Sequence, residues 1–199
     1  MSACGAPDPA TSAAALSASA RRAASAHARA LEPGGRPRLA SISDGVSRSA
    51  WLATKEEFGN FELQREDNIP ENGNSGVFIR APKNGAPWVA GLEIQVLDDY
   101  GSKWKGLKPA QFTGSIYAVQ APSQRATKKA GEWQTMRIRC NGGQCCVWIN
   151  GQCIIDVSLK KLAPKAKNVT GLKRTQGFIG LQNHASPVHF RNIQIKRLK

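Results

Sequence analysis

The chain has 199 residues, a formal net charge of +14, a pI near 10.0 and 41% hydrophobic residues, enough for one domain with a sizeable core plus a tail. No run approaches the roughly 18 to 20 consecutive apolar residues of a spanning helix, so no membrane span is expected. The basic residues (Lys128-Lys129, Lys160-Lys161, Lys173-Arg174, Lys196-Arg197-Leu198-Lys199) are scattered without a helical stripe or DNA-binding motif; they read as a solvated surface, with no nucleic-acid partner.

Residues 1–50 are dominated by Ala, Ser, Arg, Pro and Gly and contain no aromatic residue. Such a segment cannot bury enough surface to fold alone, so a disordered or irregular tail is expected up to residue 50 and a folded domain over 51–199. Residues 13–30 have alanine enough for some helix but no apolar face. Arg21-Arg22 would suit an export signal, yet no hydrophobic stretch follows, so no signal peptide is read.

From Trp51 onward strands alternate with Gly, Pro and Asn punctuation. Strands are predicted over 58–66, 74–80, 92–97, 113–119, 133–140, 144–150, 153–157, 177–181 and 188–196, with at most one helical turn near 159–162. That spacing means an all-β sandwich or barrel. Hairpins are expected at Asn141-Gly142 and Asn150-Gly151, because Asn-Gly supplies the positive φ angles of a type I′ turn. The five cysteines are an odd number, so they cannot all pair within the chain. Cys140, Cys145, Cys146 and Cys153 fit no zinc-ligand spacing and read as small buried hydrophobes; no metal and no cofactor is indicated.

Side chains alternate faces along a strand, so Leu92, Ile94 and Val96 point one way while Glu93 and Gln95 point the other. The same alternation groups Phe178, Gly180, Gln182 and His184, then Ser115 with Tyr117, then Gly76, Phe78 and Arg80. If these strands are neighbours in a curved sheet, Glu93, Gln95, Arg80, Tyr117, Gln182 and His184 line one concave surface. Amides, a carboxylate and a phenol suit sugar hydroxyls, which both donate and accept hydrogen bonds. The plainer alternatives are a solvated Glu93, a satisfied buried Gln95, an Arg80 paired with a loop carboxylate and a His184 that only fixes its turn. Trp133 and Trp148 read as core and His189 as structural, whereas Trp88 and Trp104 flank the Glu93 strand and could stack on a sugar ring.

Six motifs occur in order: Asn72-Gly-Asn-Ser-Gly-Val-Phe-Ile-Arg80, Gly91-Leu-Glu-Ile-Gln-Val-Leu-Asp-Asp99, Thr113-Gly-Ser-Ile-Tyr117, Gly131-Glu-Trp133, Val147-Trp-Ile-Asn-Gly151 and Gly180-Leu-Gln-Asn-His184 with Phe190-Arg-Asn-Ile193. Together they closely resemble the 3-keto-disaccharide hydrolase domain over roughly residues 51–198. The resemblance implies a concanavalin A-like jelly-roll sandwich, bacterial and often periplasmic or extracellular, that acts on glycosides oxidised at carbon 3. It places Glu93 where glucanase-like relatives of that fold carry catalytic carboxylates. Asn74, Ser75 and Asp98, inside these motifs, join Arg80, Gln95, Tyr117 and Gln182 as expected substrate-binding residues, with Glu93 and His184 expected to be catalytic.

An ordinary glycosidase needs two carboxyl groups roughly 5 to 9.5 Å apart. Asp99 shares the face of Glu93 but lies six residues on, roughly 20 Å along a regular strand, so this strand does not supply the pair. A 3-keto group acidifies the hydrogen on carbon 2, which lets a single base expel the glycosidic oxygen before water adds. Glu93 or His184 is the candidate base, and Arg80, Gln95 or Tyr117 the candidate stabiliser of enolate charge. The rival reading is a non-catalytic carbohydrate-binding module of the same fold.

Two departures from the family pattern are expected to matter. Residues 1–50 carry no counterpart of the usual first strand region, so the sandwich is expected to lack a strand and expose an edge. In Gln64-Arg-Glu-Asp-Asn68, Arg65 and Asp67 fall on the face of Phe61 and Leu63, which is expected to weaken that strand or bend it from the core.

Overall fold

A computed structural model describes residues 17–18, 39–43 and 50–199, with side chains from Trp51 onward. The tail and helix expected within residues 1–50 lie outside the described residues, apart from two short strands.

Eleven strands are described: β1 (Ser17–Ala18), β2 (Leu39–Ser43), β3 (Ala50–Thr54), β4 (Phe61–Asn68), β5 (Asn74–Ala81), β6 (Leu92–Leu97), β7 (Gln134–Asn141), β8 (Gln144–Ile149), β9 (Gln152–Ser158), β10 (Phe178–Gln182) and β11 (His189–Arg197). They form two antiparallel sheets, β1-β11-β4-β7-β8-β9 and β2-β3-β10-β5-β6, packed as a jelly-roll sandwich. Among the described residues helix is confined to short pieces, including α1 (Pro87–Ala90) and α2 (Leu159–Leu162). None of the described helices is long and apolar enough to cross a membrane.

Alternation builds the core directly. Phe61 and Leu63 of β4, Met136 and Ile138 of β7 and Val147 and Ile149 of β8 face Val77 and Ile79 of β5 and Leu92, Ile94 and Val96 of β6. The β5 and β6 residues are buried on both faces of the strands. On the face turned from the core Trp51, Ala53, Phe78 and Ala81 form a small apolar cluster, with Trp88 and Phe178 against them; Trp51 and Phe78 meet edge to face with ring centroids 5.6 Å apart.

Several expectations change. The strand expected over 113–119 is replaced by an irregular segment joined to β6 through the Ile94–Ile116 bridge and three backbone bonds, including Tyr117 N–H to the Glu93 carbonyl at 2.9 Å. The missing edge strand is supplied by β2, which pairs with β3 along its full length. The β4 strand stays in register with β7 from Phe61 to Asp67. It stays because Arg65 and Asp67 pair with each other inside, where Gln134 also donates to Asp67 at 3.3 Å and the Arg65 guanidinium lies 5.0 Å from the Phe190 ring. Trp148 is buried at 5% exposure on the outer side of β8, where Arg137, its cross-strand partner, lies 3.7 Å over its ring, whereas Trp133 is only partly buried, with Arg191 3.8 Å over it. The first hairpin turns on Gly142-Gly143 rather than Asn141-Gly142, since Asn141 and Gln144 pair as the closing residues. The second turns on Asn150-Gly151, both at positive φ as type I′ requires.

Candidate active site

Register across the five-stranded sheet places two rows on the face turned from the core. One runs Ala53, Gly180, Phe78, Glu93, and the other Trp51 and Gln182 on β3 and β10, then Gly76 and Gln95 on β5 and β6. Beyond β6 the segment carrying Ser115 and Tyr117 extends both rows, because Ile116 opposes the inward Ile94 and its neighbours therefore point outward. Alternation alone thus assembles an aromatic half, Trp51 and Phe78, beside a polar half, Glu93, Gln95, Gln182, Ser115 and Tyr117.

Two glycines make the rows close-fitting. The Trp51 ring lies over Gly180, where any side chain would collide with it. The Glu93 carboxylate lies over Gly76 and hydrogen-bonds the Gln182 side chain. Glu93 is 6% exposed, and its pKa is raised to about 7 because burial penalises its charged form more than the Gln182 bond favours it. Gln95, 3% exposed, accepts the Val96 N–H on its own Oε1 at 3.2 Å, which leaves its amide N–H₂ as the outward group. Tyr117 is half-buried and its hydroxyl accepts from Gln111 at 3.1 Å. His184, two residues beyond Gln182, is exposed at the rim.

Unmet hydrogen-bonding capacity also gathers here. Of six buried side-chain atoms without a partner among the described residues, three lie on this face: Asn74 Oδ1, Ser115 Oγ and Gln182 Oε1. Ser115 is fully buried. Buried acceptors without donors are costly, so Ser115 and Gln182 near Glu93, with Asn74 farther along the same face, mark a place for a hydroxyl-rich ligand. Ser115 is visible in the sequence only as the alternation partner of Tyr117; Trp51 has no such signal, since the strand carrying it was not expected.

Three expected residues lie elsewhere. Arg80 does not share the face of Gly76 and Phe78: an extra residue in β5 opposite β10 makes a bulge, and Arg80 takes φ +51° there. Its guanidinium reaches through the sandwich to the carbonyls of Arg174 at 2.9 Å and Gly142 at 2.7 Å. Ser75 lies on the opposite face from Asn74 and donates to the Gln182 carbonyl at 2.7 Å. Asp98 closes a turn by accepting from Asn72 N–H at 2.9 Å and Tyr100 N–H at 3.3 Å. Asp99 is also engaged: Thr113 and Thr127 donate to it, and burial raises its pKa. Trp88 packs against the Trp51–Phe78 patch, whereas Trp104 lines a separate cleft of about 340 Å³ with Tyr100, Phe112 and Arg125. Among the described residues no three His, Cys, Asp or Glu converge as a metal-ligand set.

Comparison with known proteins gives a consistent outcome. The model of the 3-keto-alpha-glucoside-1,2-lyase-like domain matches residues 22–196, so the match begins well before residue 51. A 3-keto-disaccharide hydrolase of Bacteroides thetaiotaomicron is 27% identical over 173 residues, covering 71% of this chain and 60% of that protein. The chain therefore spans less than two thirds of that relative's length. A solved structure of a proposed glycosyl hydrolase from Parabacteroides distasonis ATCC 8503 is 33% identical, covers 79% of this chain and 89% of its own, and superposes with a TM-score of 0.67. A carbohydrate-binding module from Bacillus subtilis shares the fold at 11% identity and a TM-score of 0.50, over 81% of this chain and 92% of its own.

Proposed function

The chain belongs to the 3-keto-alpha-glucoside-1,2-lyase-like domain family, and from that membership and the face around Glu93 we propose that it cleaves 3-keto-glycosides or 3-keto-disaccharides by elimination followed by hydration. The observation that carries this reading is a lone buried carboxyl with a pKa of about 7 amid open acceptors and beside an aromatic patch. A base of that pKa is balanced between holding and releasing a proton near neutrality.

In the proposed reaction Glu93 removes the hydrogen from carbon 2, and the electron pair moves into the carbonyl at carbon 3 as an enolate. The Gln95 amide and the Tyr117 hydroxyl are the candidate donors to the enolate oxygen. The enolate then re-forms the ketone, the carbon 1–carbon 2 double bond closes and the glycosidic oxygen departs, taking a proton. His184, at the rim, is the candidate source of that proton. Water then adds hydroxyl to carbon 1 and hydrogen to carbon 2, which completes a net hydrolysis. Asn74, Ser115 and Gln182 accept from the hydroxyls of the sugar, and Trp51 and Phe78 offer it an apolar face.

The test is a 3-keto-glucoside deuterated at carbon 2. A primary isotope effect and a transient unsaturated ketone under rapid quench support elimination; cleavage without either points to direct displacement. The second reading, a non-catalytic carbohydrate-binding module, is favoured by the shared fold with the Bacillus subtilis module. Lost turnover with retained sugar binding in Glu93→Gln supports the enzyme, and absence of turnover by the unaltered chain on every oxidised disaccharide supports the module.

A further inference from the structure

We propose that Cys140 and Cys145 are a disulfide-forming pair that locks the β7–β8 hairpin. They are direct cross-strand partners, one position in from the pair Asn141 and Gln144 that closes the Gly142-Gly143 turn. In a two-residue hairpin the closing pair is hydrogen-bonded, so the next pair is the non-hydrogen-bonded kind, with Cα atoms about 4.5 Å apart. That spacing lies within the about 4.4–6.8 Å range of disulfides, so a bond needs side-chain rotation and no strand movement. Both residues are fully buried in the inter-sheet core, and their thiols hydrogen-bond each other. The Cys145 partner and the nearby Arg80 guanidinium together hold the Cys140 thiol below its ordinary range, which favours Cys140 as the attacking thiolate.

The step is an oxidation. Two S–H bonds are lost and one S–S bond forms, and two electrons and two protons pass to a disulfide oxidant such as oxidised glutathione, which leaves as two thiols. Because the pair has no exposed surface, exchange occurs during folding or when the hairpin end opens. The hairpin it closes also holds the carbonyl of Gly142 that anchors Arg80, so the bond would fasten the back of the bulge next to Phe78.

The experiment refolds the chain in oxidised glutathione, blocks remaining thiols with N-ethylmaleimide, and cleaves the Asn-Gly bonds with hydroxylamine. Asn141–Gly142 separates the two cysteines, and Asn150–Gly151 removes Cys153. The expected result is a mass two units lower before blocking and a Cys140 fragment that stays joined to residues 142–150 until reduced. Cys146→Ser should keep the linkage and Cys145→Ser should lose it. The melting temperature of the oxidised form should exceed that of the reduced form by about 5 °C. Full alkylation of Cys140 after refolding, or a linkage that survives Cys145→Ser, overturns the proposal.

Discussion

The carboxylate of Glu93 occupies the space that a side chain on Gly76 would take: a β-carbon at position 76 would sit 2.5 Å from Glu93 Oε1. Gly76→Ala should therefore push the carboxylate off Gln182 without breaking the fold, because the displaced atoms are the end of a flexible side chain. The expected loss in kcat/KM is about 10- to 100-fold, the scale of a 1 Å misplacement, with a melting temperature within a few degrees of the parent. Steady-state kinetics on a 3-keto-glucoside and a thermal melt check both halves. A large drop in stability with unchanged kcat/KM would mean that the gap serves packing alone.

The raised pKa of Glu93 makes a signed statement about stability. An unfolded Glu titrates near 4.5 and the folded one near 7, so the native state holds the proton more tightly between these values. Below pH 4.5 both forms are protonated and the fold carries no penalty; as pH rises through this window stability falls by roughly 3 kcal/mol and then levels off. Glu93→Gln should remove that slope, matching the parent near pH 4 and exceeding it by roughly 3 kcal/mol at pH 8. Denaturant melts across this range measure it, and parallel curves for the two proteins contradict the assignment.

If Glu93 is the base, kcat/KM should climb about tenfold per pH unit as pH rises toward about 7, since only the ionised carboxyl accepts the proton. Glu93→Gln should lose about 100- to 10,000-fold at pH 7.5. His184→Gln distinguishes the two candidates: retained exchange of the carbon 2 hydrogen with solvent keeps Glu93 as base, and loss of that exchange transfers the role to His184.

Arg80 should matter for stability rather than for substrate. Arg80→Met removes the charged donor that the part-buried carbonyls of Arg174 and Gly142 share and should cost about 1.5–3 kcal/mol, with KM changed less than about twofold. A selective rise in KM at unchanged melting temperature would return Arg80 to the binding face.

The buried pair of Arg65 and Asp67 should behave as a unit. Asp67→Ala strands a buried guanidinium and should cost about 3–5 kcal/mol, whereas replacing Arg65 with Met and Asp67 with Leu together should come within about 1 kcal/mol of the parent. Denaturant unfolding of the two variants beside the parent forms the test.

Much of this architecture was legible because β alternation is a local property. Leu92 to Val96 declared one face apolar and Glu93 with Gln95 another, and the structure keeps both, since a one-residue slip would turn Leu92, Ile94 and Val96 out of the inter-sheet core and Glu93 and Gln95 into it. Arg80 was misplaced by the same rule, because a bulge resets the period and only pairing with β10 reveals it. Of the two tryptophans read as core, Trp148 is buried, and Trp133 is only partly buried under the Arg191 guanidinium.

The sequence by itself determined the all-β class, most strand positions, the turn at Asn150-Gly151 and the polar character of the face bearing Glu93, for each depends on neighbours along the chain. Tertiary structure decided what depends on neighbours across it: that Gly76 leaves room for Glu93 to reach Gln182, that burial there raises a carboxyl to about 7, and that Ser115 and Asn74 carry unpartnered acceptors on the same face. The physical reason is that desolvation and hydrogen-bond satisfaction are set by which strands lie side by side, and register between distant strands is not written in any one of them.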